Sequence, residues 1–294
     1  MTVCVGAIYE NNSVLGGSDR MITAGGNIEF QPLQPKIWPI TSSIVAMVAD
    51  DIVVHTEIHQ EVFKSVSVRI EKEPQNWWKV KDVADLYSQF YIQLRLRSSS
   101  RSILSLFGLD TDSFIKKQKE MSPEFVKNIE EKLTNYHFSG ASAIIAGIDQ
   151  EGPHIYTVTN EEVICNDKIG FSVIGSGYWH AASHFMFSGH TRFSLGQKVL
   201  LTTHQAKRKA EVAPGVGRET DMFLIGPQLG SFRWIEKEWI DQLDKIFEEN
   251  VKKTEKLNQK LEVKLEAFLK KQAEIKQAQQ KATVDPNPPN DSKV

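Results

Sequence analysis

The chain has 294 residues, 40% hydrophobic and 24% charged, enough for a sizeable core and for one or two domains. Its formal net charge of -2 supplies no field that would gather nucleic acid or an anionic membrane surface, so neither partner is expected. No apolar run reaches the ~20 residues of a bilayer span, the first residues lack the pattern of a signal peptide, and two cysteines, Cys4 and Cys165, make no disulfide framework. A cytoplasmic protein is the expectation, with Cys4 packing as a small buried hydrophobe.

The first element is an apolar run, Val3 to Tyr9, that reads as a buried strand. Asn11-Asn12 supplies residues that tolerate positive φ, so Ser13 to Gly17 reads as the return strand of a hairpin. A polar, Gly-rich turn follows over Ser18 to Asn27, carrying one acid, Asp19, and one base, Arg20. Pro32, Pro35 and Pro39 bracket Lys36, which places that lysine on an irregular or edge segment with restricted backbone. Ser43 to Ala49 is another buried strand, and Asp50-Asp51 opens a helix reaching to about Ile70. A second helix is expected near Val83 to Leu96.

Residues 97–137 turn polar and mixed and read as an insertion. Strands return at Ala143 to Ile148 and His154 to Val158, joined by a turn over Asp149 to Pro153. A further strand ends in Ile174-Gly175-Ser176-Gly177. Two helical patterns come next, about Trp179 to Phe187 and Leu195 to Ala210, then a turn over Ala213 to Gly217 and a strand over Asp221 to Ile225. This order predicts an α+β protein with helices layered on stacked sheets. Over 233–280 a long helix is predicted, with Phe247, Val251, Thr254, Asn258, Leu261, Leu265, Phe268, Gln272 and Ile275 in alternating steps of four and three. That pattern suits a helix docked on its own body as well as a coiled coil between subunits. Residues 281–294 read as a disordered tail.

Thr2 is the residue on which a chemistry can be built. Removal of Met1 would leave a hydroxyl and a free α-amine on one residue, so nucleophile and proton acceptor come together without a separate histidine. Two histidine pairs, His55/His59 and His180/His184, have the i, i+4 spacing of metal ligands, but neither has a third ligand in view, so packed or solvated histidines are expected and no metal or cofactor. Asp19, Lys36, Ser176 and Asp50 each have a plain structural reading as well: a turn residue, a surface lysine, a loop residue and a helix cap.

Taken together, Thr2, the Gly16-Gly17-Ser18-Asp19 turn, Thr23-Ala24-Gly25, Lys36-Ile37-Trp38-Pro39-Ile40, the Glu151-Gly152-Pro153 hairpin and Gly175-Ser176-Gly177 resemble proteasome β-type subunits of the N-terminal nucleophile hydrolases. The similarity spans residues 2 to about 230 and looks closest to bacterial proteasome-like proteins of uncertain activity. It implies a four-layer αββα sandwich over 1–232 and a threonine-type peptidase acting on peptide or other amide bonds. It also implies a homo-oligomer, with a ring as the assembly. Carried over by position, Thr2 is the nucleophile, and Lys36 is the cation that lowers the pKa of its amine and hydroxyl. Asp19 anchors that cation, Ser176 holds the amine, and the Asp50 backbone N–H is the oxyanion donor. Arg20 and Glu211 stand near two of the family's supporting positions. The departures are Asp50 where glycine is common, Met21 where arginine is, and Pro214 where a serine hydroxyl is. An inactive assembly or scaffold subunit and a small-amide hydrolase are therefore alternatives.

Overall fold

The computed structural model describes residues 2–24, 28–138, 140–159 and 161–282. In chain order its elements begin with strands β1 (Cys4–Tyr9), β2 (Ser13–Asp19), β3 (Ile22–Ala24), β4 (Ile28–Phe30), β5 (Ile37–Pro39) and β6 (Ile44–Asp50). Helices α1 (Ile52–Lys72), α2 (Val80–Ser99), α3 (Thr111–Lys117) and α4 (Pro123–Thr134) follow. Then come β7 (Ala141–Asp149), β8 (Gly152–Thr159), β9 (Glu162–Cys165), β10 (Phe171–Ile174), α5 (Tyr178–Phe187), α6 (Gly196–Ala210), β11 (Thr220–Ile225), β12 (Arg233–Trp234) and α7 (Lys237–Ala282). The protein is mixed α and β, with antiparallel sheets and a long C-terminal helix.

Two five-stranded sheets carry the body, in the orders β10-β1-β2-β11-β12 and β5-β6-β7-β8-β9. They meet through one apolar cluster in which Cys4, Ile8, Val14 and Phe223 of the first sheet pack with Val45, Met47, Ile144 and Ile155 of the second. Helices α5 and α6 lie against β1, β2 and β10. Helices α1 and α2 cover the other side of the second sheet through Val54, Ile58, Val62, Val83, Ala84 and Tyr87. With both faces covered, strands such as β1 and β6 must be apolar at nearly every position, which is why they read as unbroken runs rather than alternating ones.

Local chemistry sets the boundaries. The first hairpin places positive φ at Glu10 (51°) and Asn11 (55°), one residue earlier than the Asn11-Asn12 pair expected from sequence. β2 begins at Ser13 and pairs it with Tyr9, which leaves the left-handed positions to the residues directly after the strand. Asp51 caps α1, its carboxylate accepting from Val53 N at 2.9 Å and Val54 N at 3.3 Å. β5, with Pro39 at its end, is an edge strand, where a missing N–H does least harm.

Residues 97–137, expected as an insertion, hold the end of α2 and helices α3 and α4 around a small core of Leu104, Phe114 and Ile129. The chain divides into two compact units, 1–240 and 241–294. The first extends past 232 because β12 pairs with β11, Phe223 opposite Trp234. In the second, the row of Val251, Leu261, Leu265, Phe268 and Ile275 is exposed along α7. No helix among the described residues is long and apolar enough to cross a membrane. Met1, the Gly25-Gly26-Asn27 part of the Gly-rich turn, Ser139, and all of the expected tail except residues 281 and 282, which end α7, lie outside the described residues.

Candidate active site

The register of the first sheet gathers most of the site. β1 runs between β2 and β10, with Cys4 opposite both Ser18 and Ile174. Continuing that register toward the N-terminus brings Thr2 beside the end of β2, where Asp19 sits, and beside the turn after β10, where Ser176 sits. Gly175 makes the closeness possible. Its φ is +91°, and a Cβ there would stand 2.4 Å from the Thr2 carbonyl oxygen. Lys36 comes from the other sheet, just before β5, with its carbonyl accepting from Val48 N at 3.1 Å.

Asp19 is fully buried and is the hub of the site. Its Oδ1 accepts from the Thr2 hydroxyl and from Val3 N at 2.9 Å. Its Oδ2 accepts from Met21 N at 2.8 Å and Gly217 N at 2.9 Å. Lys36 Nζ lies 3.2 and 3.4 Å from the two oxygens and also donates to Thr2 Oγ1 and to the Met21 carbonyl. A carboxylate taken out of water is costly unless its oxygens are filled with donors, and here they are. Ser176 Oγ accepts from the Thr2 nitrogen at 3.2 Å and has the Pro214 carbonyl at 3.1 Å as an acceptor. Removal of Met1 would make that nitrogen an α-amine.

Burial pushes the Lys36 ammonium below the ordinary lysine range, against the opposing pull of Asp19. The lysine therefore gives up its proton more readily than an exposed one while still touching the threonine hydroxyl. Cys4, next in the strand, is the opposite kind of group. Burial raises its thiol pKa, and its Sγ donates to the Val48 carbonyl at 3.3 Å, so it packs and does not react.

A cavity of about 20 Å³ opens beside Thr2, lined among others by Met21, Lys36, Val48, Asp50, Ile52 and His55. That volume holds about one water molecule or one methyl group. Asp50 ends β6 at φ +78°, a left-handed conformation that aspartate tolerates better than most residues. His55 closes the cavity. Its Nδ1 is 2.6 Å from Tyr87 Oη and its Nε2 is 2.7 Å from the Ala49 carbonyl. Burial lowers its pKa to about 4, so it is a neutral, fully bonded wall.

The structure thus brings Thr2, Asp19, Lys36 and Ser176 into direct contact and places Asp50 on the same cavity. Two expected supports stand elsewhere. Arg20 is bound at both ends by Asp221, at 2.7 and 2.5 Å, because strand pairing sets Ser18 opposite Asp221. Glu211 accepts from Lys207 Nζ at 2.8 Å and Arg208 at 3.2 Å. Pro214, which has no hydroxyl to give, offers Ser176 its carbonyl instead. The His55/His59 pair splits as well, with His55 bonded as above and the His59 ring tilted against Trp38, centroids 5.0 Å apart. Among the described residues no group of three or more His, Cys, Asp or Glu is placed to hold a metal ion. The backbone donors Met21 and Gly217 were not legible beforehand, because main-chain groups leave no trace in residue type. No protein-family model matches the chain, and no curated protein matches it.

Proposed function

We propose that this chain is an N-terminal threonine hydrolase that cleaves amide bonds after removal of Met1, similar to proteasome β-type subunits and built on their αββα plan. The observation that carries this reading is the Thr2 hydroxyl, buried between the Asp19 carboxylate and the Lys36 ammonium, with Ser176 on its nitrogen. In the reaction, the α-amine takes the hydroxyl proton through a water while Oγ1 attacks the carbonyl. Lys36 keeps a usable neutral amine near pH 7 by disfavouring its protonation, and the Asp50 N–H faces the oxyanion. The amine leaves with the proton, and water then hydrolyses the ester at Thr2, restoring the hydroxyl. No cofactor enters these steps.

The size of the cavity favours a small side chain on the acyl side. Paired peptide amides differing only in Ala or Phe at that residue test this, with about a tenfold or greater preference for Ala in kcat/KM expected. Equal or better cleavage of the Phe substrate would contradict it.

A second reading, an inactive assembly subunit of the same plan, is favoured by the exposed apolar row on α7, which fits a helix partner and so a homo-oligomer. Intact mass with N-terminal sequencing separates the two readings. The hydrolase requires Thr2 as first residue, whereas Met1 retained in the purified protein supports the inactive subunit. Sedimentation of the full chain as a monomer would remove the assembly role.

A further inference from the structure

Lys207 is completely buried, although lysine is among the residues least often found so. It sits in the last turn of α6, where sequence alone reads a lysine as a solvated partner of the helix C-terminus. Its Nζ makes two bonds, to Glu211 Oε1 at 2.8 Å and to the Arg218 carbonyl at 2.6 Å. These two residues begin and end most of the connection between α6 and β11, so the ammonium clasps that connection across its width.

The clasped segment touches the candidate site twice. Pro214 presents its carbonyl to Ser176 Oγ, the group that holds the Thr2 nitrogen. Gly217, next to Arg218, donates its N–H to Asp19 Oδ2 at 2.9 Å. It also lies hard against Met21, the other backbone donor to that oxygen, since a Cβ on Gly217 would come 3.0 Å from Met21 Cβ and 3.2 Å from Met21 N. One loop therefore sets the orientation of the carboxylate and supports the residue on the amine.

Resting on the hydrolase reading above, we propose that Lys207 is a positioning residue: by tying Arg218 it holds Gly217 N–H on Asp19 and keeps the carboxylate aligned with the Thr2 hydroxyl and Lys36. It touches no substrate. A buried ammonium is an expensive clasp, and a neutral helix residue would hold α6 in place equally well, so the carbonyl it binds is what distinguishes it.

The test is the rate of covalent labelling of Thr2 by an electrophilic β-lactone on the full-length protein, resolved into the limiting rate and the half-saturating concentration. Lys207→Met is expected to lower the limiting rate about 100-fold, the scale of an ångström-level misplacement, with half-saturation within about twofold and the fold intact by circular dichroism. Gly217→Ala keeps Lys207 but crowds Met21, and it is expected to give the same signature; it carries the test if Lys207→Met does not fold. Labelling of either folded variant within twofold of wild type, or a loss confined to half-saturation, would overturn the positioning role while leaving the hydrolase reading in place. Wild-type protein that is not labelled at Thr2 would overturn both.

Discussion

Two places in the body set a titratable cation among carboxylates, with opposite results. At the candidate active site Lys36 is buried beside Asp19, and its pKa falls because desolvation outweighs the pull of Asp19 and of Asp50. Near the start of β8, His154 stands between Asp167 at 2.6 Å and Asp149 at 3.2 Å, with its side chain 17% exposed, and its pKa rises. The hydrogen bond to Asp167 is the largest contribution there and burial the opposing one. At His154, hydrogen bonds to two carboxylates outweigh a partial desolvation, and the sign reverses. The histidine is thus held in its charged form, as a structural clasp is, whereas the Lys36 charge is opposed by burial and supported by the same Asp19 carboxylate that accepts from the Thr2 hydroxyl.

The largest effect should come from the hub. Asp19→Asn keeps the shape but removes the charge that holds Lys36 and accepts the Thr2 hydroxyl. Hydrolysis is expected to fall about 1,000-fold or more. A loss below tenfold in a folded variant would mean that the saturated carboxylate is merely a strand-end anchor.

The stability effects are smaller and have opposite signs on the pH axis. His55 has a folded-state pKa lowered from 6.5 to about 4, so its contribution is present above pH 6.5 and is lost as pH falls toward 4. The full loss corresponds to about 3 kcal/mol, read as a fall in Tm across that interval. His154 has a raised pKa, so its contribution is complete below 6.5 and is lost as pH rises through the raised value. That effect is the weaker of the two, since solvent reaches the ring. Thermal unfolding of His154→Gln should lack the alkaline decline only, and His55→Gln the acid decline only. Identical pH profiles for the two variants would erase the contrast drawn between buried and clasped groups.

Much of the site could be read in advance because its key parts are side chains with a fixed relation to strand ends. Thr2, Asp19 and Ser176 lie at the ends of three adjacent strands, and a buried sheet leaves an apolar signature that locates those ends. Lys36 was marked by its flanking prolines. The supports were harder to read for physical reasons. Arg20 neighbours Asp19 in sequence, yet strand pairing delivers it to Asp221, more than 200 positions onward. Glu211 carries a charge of the expected sign, but Lys207 one helical turn earlier takes it. Lys207 itself is indistinguishable in sequence from the solvated lysines of α6, because only packing decides which of them is buried. The Gly217 and Met21 donors are main-chain groups, and every residue but proline has one.

Whether Thr2 is a free, reactive N-terminal nucleophile is read most directly by peptide mass mapping after treatment with a threonine-directed electrophile. A chain beginning at Thr2 is expected, with one adduct on that residue that Thr2→Ala abolishes. Retained Met1, or equal labelling of Thr2→Ala, would contradict it.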